Sequence, residues 1–232
     1  KGMISLLLLP FLACLILTGI HVYFGIHVIK RKIIFVDLAL AQFAALGSTI
    51  AVLRGHDLHD PATFLFSLAF TFIGSGLFVL ARSRHPLASQ EAVIGIFYVL
   101  ASATSVILMS FSAMEASHMK QMLVGHLLFT NTHEIVVMLI LYGIVGLIHF
   151  FFRKEFIGLS EHEDSDNQER PKTIWDFLFY ATFGVVVTSS VKIAGVLLVF
   201  SFLIIPTFCA ALFSSKFSKM LAIGWAIGGL AS

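Results

Sequence analysis

The sequence predicts an all-α, polytopic integral membrane bundle with about eight transmembrane helices. Three observations lead there. Hydrophobic residues make up 58% of the 232-residue chain and charged residues only 12%, where a soluble domain carries about a quarter charged residues. Mean hydropathy is +0.96, and 24 phenylalanines leave too much apolar side chain for a soluble core to bury. The apolar residues also come in runs near the roughly 20 residues that one span requires. The formal net charge of +2 points to no particular partner, and no nucleic acid is expected.

The runs follow in order. The first covers 3–29 and stops at Lys30, Arg31 and Lys32. The second covers 33–53 and stops at Arg54. The third, 62–81, ends before Arg82 and Arg84. The fourth covers 92–111, and the fifth, 134–152, ends at Arg153 and Lys154. The stretch 175–213 is too long for one span, so the polar run 188–192 is read as the break between a sixth and a seventh helix. Pro206 should kink the seventh. An eighth run starts near Lys219 and is still apolar at Ser232, so the chain is expected to be one transmembrane domain, 1–232, that continues past its last residue. The first run is too long for the apolar region of a cleaved signal. Cys14 and Cys209 lie inside apolar runs and read as small core residues. No internal repeat is evident.

Charge placement sets the orientation. Lys30, Arg31, Lys32, Arg82, Arg84, Arg153, Lys154, Arg170, Lys172, Lys216 and Lys219 are eleven of the fifteen basic residues, and all fall on one side. Lys1, Arg54, Lys120 and Lys192 fall on the other. The N-terminus is therefore expected outside and the acidic segment 161–169 in the cytoplasm. Gly224 and Gly228, and on run two Ala41/Ala45 and Ala44/Ser48, are spaced four apart. Such residues let helix backbones approach where lipid gives no hydrophobic drive.

Polar groups inside apolar runs carry the functional signal, because burying them is costly. His21, Asp37 and Gln42 are such groups, and His21, deep in run one, is a candidate to face the translocation pathway. Asp37 reads either as an interfacial carboxylate paired with the 30–32 cluster or as a pathway residue. Gln42 reads as an interhelical hydrogen bonder or a pathway residue. His27, near the inner end of run one, is expected to be solvated at the interface. Lys192 reads as a snorkelled anchor or a pathway cation. The outer side is rich in imidazole and carboxylate: His56, Asp57, His59 and Asp60 in one loop, and His118, His126, His133 and Glu134 in or beside the next. These groups suit Zn, Mn or Fe, but no spacing among them fixes a tetrahedral site. They read as solvated loop residues or as a collecting vestibule for cations, with His126 a candidate for the translocation pathway. The segment 122–129 is too short to span and is expected to lie in the interface or re-enter at the outer mouth. The phosphate-binding loop pattern is absent, so no ATP hydrolysis by that mechanism is expected, nor any catalytic residue.

Several segments together resemble the permeases of metal-type (zinc, manganese, iron) ABC importers. The run from His27 to Gly47 is similar to the family's basic turn followed by a helix with an Asp-Ala-Leu-Ser-His-like stretch. Ser89 to Ile96 resembles Glu-Asp-Thr-Ala-Ile-Gly-Ile, and Met122 to Leu128 resembles Leu-Phe-Gly-Asn-Leu-Leu. Val191 to Pro206 resembles Val-Gly-Val-Leu-Leu-Val-x-Ala-Leu-Leu-Ile-x-Pro. Gln42 stands where the family usually has His, and Asp37 then falls one position before the usual Asp. The resemblance implies a type II ABC importer-like bundle in a bacterial plasma membrane. It implies a second permease copy, a cytoplasmic ABC ATPase dimer carrying the ATP, an extracytoplasmic solute-binding protein, and a divalent cation as cargo, with no cofactor held by this chain. By position it places ATPase docking at 154–174, with Glu155, Phe156, Ile157, Glu161 and Arg170 as candidates. A permease for a chelate or vitamin would share the fold. An ion-driven secondary transporter, or a scaffold without transport, belongs to a different class.

Overall fold

The computed structural model describes residues 2–58, 60–81, 89–111, 124–161 and 173–232. His59, His118, Arg170 and the acidic loop after Glu161 lie outside them. Among the described residues the elements are all helical: α1 (Gly2–Lys30), α2 (Val36–Leu53), α3 (Pro61–Leu80), α4 (Gln90–Met109), a 3-10 turn (Leu127–Phe129), α5 (Thr132–Phe151), α6 (Arg153–Glu161), α7 (Thr173–Phe213) and α8 (Phe217–Ala231). Six of these are long and apolar enough to cross a membrane, and α8 is a shorter apolar helix of 15 residues. Local chemistry sets several starts. Pro61 sits at the head of α3, where its missing N–H costs nothing. Ser89 Oγ accepts the Ala92 N–H at the head of α4. Asn131 and Glu134 form a reciprocal capping box on α5.

The break expected at 188–192 lies elsewhere. Helix runs through those residues and is interrupted at Gly195, at φ 74° and ψ 160°. Thr188 and Ser190 are buried and hydrogen-bonded, Thr188 to Thr71 at 3.0 Å and Ser190 to Tyr142 at 2.5 Å. Polar side chains that find partners inside the protein do not need a turn to reach water. Gly195 alone of this stretch takes a backbone conformation that a side chain disfavours. With α7 divided there, each part is long enough to cross once, which returns the expected eight helices. A second difference is α6. The polar segment after Arg153 begins as a helix because Phe156, Leu159 and Ser160 share one buried face, while Arg153, Lys154 and Glu155 stay exposed.

The chain divides into two compact units. In the first (1–31, 123–163, 189–232), α8 packs on α1 through the glycine pair the sequence marked. A Cβ on Gly224 would meet Val22 Cγ1 at 2.5 Å, and one on Gly228 would meet Thr18 Cγ2 at 2.5 Å. Trp225 Nε1 donates to Gly19 O across the same seam at 3.0 Å. Gly25 of α1 lets the backbone at Leu203 and the Thr207 side chain come into contact. In the second unit (32–122, 164–188), α2 is the central helix, with 72% of its span buried against 22% for α4. Its small residues Ala41, Ala44, Ala45 and Ser48 are all buried. Gly47 lies directly on the α3 backbone at Phe66 and Ser67. On α3, Thr63, Ser67, Thr71 and Ser75 recur every fourth residue and are buried; the last three hydroxyls donate to the carbonyl one turn back, and Thr63 donates to Asp57 O in the preceding loop. Phe78 is fully buried between Phe43 and Tyr180, with ring centroids 5.9 and 5.7 Å away.

Candidate functional site

In the first unit, the pathway candidate His21 is fully buried on α1. Its Nδ1 lies 2.8 Å from Leu17 O. A carbonyl only accepts, so Nδ1 carries the proton and Nε2 is the acceptor of the uncharged ring. That Nε2 is buried with no hydrogen-bonding partner. The Tyr142 ring stands edge-on to His21 with centroids 6.4 Å apart. Tyr142 in turn bonds Ser190, and Ser189 Oγ donates to its hydroxyl at 3.3 Å. One imidazole and three hydroxyls therefore come from α1, α5 and α7, at a depth where lipid offers no hydrogen bonds.

A second polar group sits nearer the α1 C-terminus. Tyr23 hydroxyl and His149 Nδ1 are 2.9 Å apart, and His27 Nδ1 and Ser160 Oγ are 2.7 Å apart. The His149 ring stacks on Phe156, centroids 3.9 Å apart and 10° from parallel. This ties α6 to both α1 and α5. His27 is thus fully buried rather than solvated at the interface. Sequence inspection passed over Tyr23, Tyr142 and His149. Their signal was spacing: Ile135, Met138, Tyr142, Val145 and His149 mark one buried face of α5 at intervals of three and four.

Among the proposed docking residues, Glu155 is exposed, Ile157 is half-buried and Phe156 is buried as the anchor under His149. Glu161 closes α6. In the second unit, Asp37 is buried in the first turn of α2, and its Oδ1 has no hydrogen-bonding partner. Gln42 is half-buried on the same helix.

The outer candidates separate. His56 Nδ1 and Asp60 Oδ2 are 3.6 Å apart in the second unit, and Asp57 is exposed. In the first unit, His126 Nε2 lies 3.1 Å from Glu134 Oε1, while His133 is exposed and apart from that pair. His126 is placed by backbone. Gly125, at φ +69°, packs on Ala194 and Gly195, and the His126 N–H donates to Ile193 O at 2.8 Å. The segment therefore docks on the same glycine that interrupts α7. It borders an apolar groove of about 580 Å³ lined by Val124, Leu128, Phe129, Leu197 and Ser201. Lys192 is exposed within helix, three residues before Gly195, and not in a break. Among the described residues no three His, Cys, Asp or Glu side chains are grouped to hold a metal ion.

Comparison with known proteins now decides the family. A profile of the ABC 3 transport family matches residues 3–232. The chain belongs to the ABC 3 transport family. Within the family's range of relatives, it is 25% identical over 197 residues to a probable metal transport system membrane protein of Thermotoga maritima, covering 84% of this chain and 67% of the relative. It is 25% identical over 223 residues to the high-affinity zinc uptake system membrane protein ZnuB of Buchnera aphidicola subsp. Baizongia pistaciae, covering 94% of this chain and 82% of the relative. Its fold matches that of PsaBC from Streptococcus pneumoniae, solved in complex with Fab, at a TM-score of 0.75 and 16% identity over 97% of this chain and 79% of the other. The fold class expected from composition and run length, a polytopic helical permease bundle, is the fold of this ABC 3 family chain.

Proposed function

We propose that this ABC 3 family chain is the membrane-spanning permease subunit of an ATP-driven importer of divalent metal cations, Zn, Mn or Fe. The observation that carries the proposal is the family match over residues 3–232, joined to relatives named for metal transport and zinc uptake. Two copies of the chain flank the path. An ABC ATPase dimer binds from the cytoplasm and supplies the energy, and an extracytoplasmic binding protein delivers the cation. The N-terminus lies outside, supported by the eleven basic residues that share the opposite side. α6 and the segment up to residue 174 form the docking face. Support comes from the exposed Arg153, Lys154 and Glu155 on a helix whose other face is held by His149 and His27.

The buried groups suit transit better than storage. His21 Nε2 offers an acceptor, and the hydroxyls of Tyr142, Ser189 and Ser190 offer oxygen. A tight site would trap the cargo, whereas a weak one lets it pass when the ATPase shifts the helices between two arrangements. The proposal is tested in cells that lack this gene and are starved for one metal at a time. Full-length chain, expressed with its ATPase and binding protein, should restore growth and metal content for Zn, Mn or Fe. Restoration of none, with no ATPase co-purifying, overturns the proposal.

A further inference from the structure

The outer pair, His126 and Glu134, has a geometry that the vestibule as a whole lacks. His126 Nε2 and Glu134 Oε1 are 3.1 Å apart. A divalent ion bonded to imidazole nitrogen at about 2.0–2.1 Å and to carboxylate oxygen at about 2.0–2.2 Å would close that gap at an angle of roughly 100°. That is close to the angle at a tetrahedral or octahedral centre. Both are held from behind. Glu134 Oε2 accepts the Asn131 N–H at 3.1 Å, and Asn131 Oδ1 accepts the Glu134 N–H at 3.0 Å. His126 is fixed through its backbone to Ile193 and through Gly125, which has no room for a side chain. Carboxylate ligands in metal sites are commonly held by such outer hydrogen bonds. The side chains remain 21% and 23% exposed, so a hydrated ion can reach them and keep water in its other positions.

We propose that His126 and Glu134 form a two-ligand capture site for one imidazole-preferring divalent cation at the end of the bundle where α5 begins. Glu134 accepts only, so Nε2 carries the ring proton in the pair as it stands. On capture that proton shifts to Nδ1, and the freed Nε2 lone pair bonds the ion; no proton is lost and no redox change occurs. Imidazole nitrogen favours Zn or Fe over Mg and Ca, which suit oxygen ligands. The placement of this site on the entry side rests on the orientation and direction proposed above.

The test uses the purified permease–ATPase complex in lipid nanodiscs, without binding protein. Co(II) absorption reports the probe, and Zn(II) competes it off. The variants are His126→Gln, whose amide nitrogen keeps a donor near the Nε2 place, and Glu134→Gln, which keeps the capping box. Each single variant should weaken Co(II) binding about tenfold or more, and the double variant should be no weaker than the worse single one. Excess Mg(II) should not displace the probe. In vesicles, His126→Gln should raise the KM for metal uptake by a similar factor and leave kcat unchanged. Unaltered Co(II) affinity in both variants overturns the site. Uptake with an unchanged KM in His126→Gln also overturns it and leaves the importer intact. Binding that depends on the pair, with no uptake of any metal, leaves the site standing and removes the importer.

Discussion

Gly125 shows how much one backbone position carries. Its φ of +69° and the 2.5 Å that would separate a Cβ from Ala194 C and Gly195 N both demand glycine. Gly125→Ala should lower the unfolding temperature in detergent by several degrees, from about 1–2 kcal/mol of backbone cost plus the clash. Gly143→Ala, with nothing within 4 Å of its Cβ, should be neutral or stabilising by up to about 1 kcal/mol. Equal stabilities for the two variants contradict the account. At this scale the sequence was partly legible. His21 stood out because an imidazole in an apolar run is costly, and it is buried. His27 misled, because a histidine near a helix end is as easily buried against a hydroxyl from a distant helix as exposed. Ser160, its partner, is 133 residues away, and no local pattern announces it.

At the scale of elements, hydroxyls and rings do the joining that apolar burial does in water. Lipid tails are as apolar as leucine, so helices associate through close packing and hydrogen bonds. Thr71 bonds both Ser67 O and Thr188 Oγ1. Thr71→Val should cost about 0.6 kcal/mol, and no more than about 1.7, measured by denaturation in mixed micelles. A larger loss would mean that the stripe does more than pack. His149 joins α5, α1 and α6. His149→Phe keeps the stack on Phe156 and deletes the bond to Tyr23, so it should cost about 0.5–1.5 kcal/mol. The same variant should loosen ATPase association if α6 is the docking helix, while a fully retained complex would argue that docking lies elsewhere. Helix number and order were legible because each run matches the bilayer. The break in α7 was not. Hydropathy marks polar residues, and those at 188–190 are satisfied inside the protein, whereas the true break is a conformation of Gly195 amid apolar neighbours. α6 was hidden for the opposite reason: nine residues with a mixed composition look like loop until Phe156, Leu159 and Ser160 are seen on one face.

At the scale of the whole molecule, the proposed function shares the ATP-driven work with a separate ATPase subunit. The family match fixes the class, and polar groups are buried along α1, α5 and α7. The partners of these polar side chains come from separate helices, a pairing that composition does not show. The most direct test is uptake by sealed vesicles holding the full-length chain with its ATPase and binding protein. Zn, Mn or Fe should enter only with ATP present, and entry should stop when the ATPase cannot hydrolyse it. Entry that ignores ATP, or no entry of any of the three, contradicts the account.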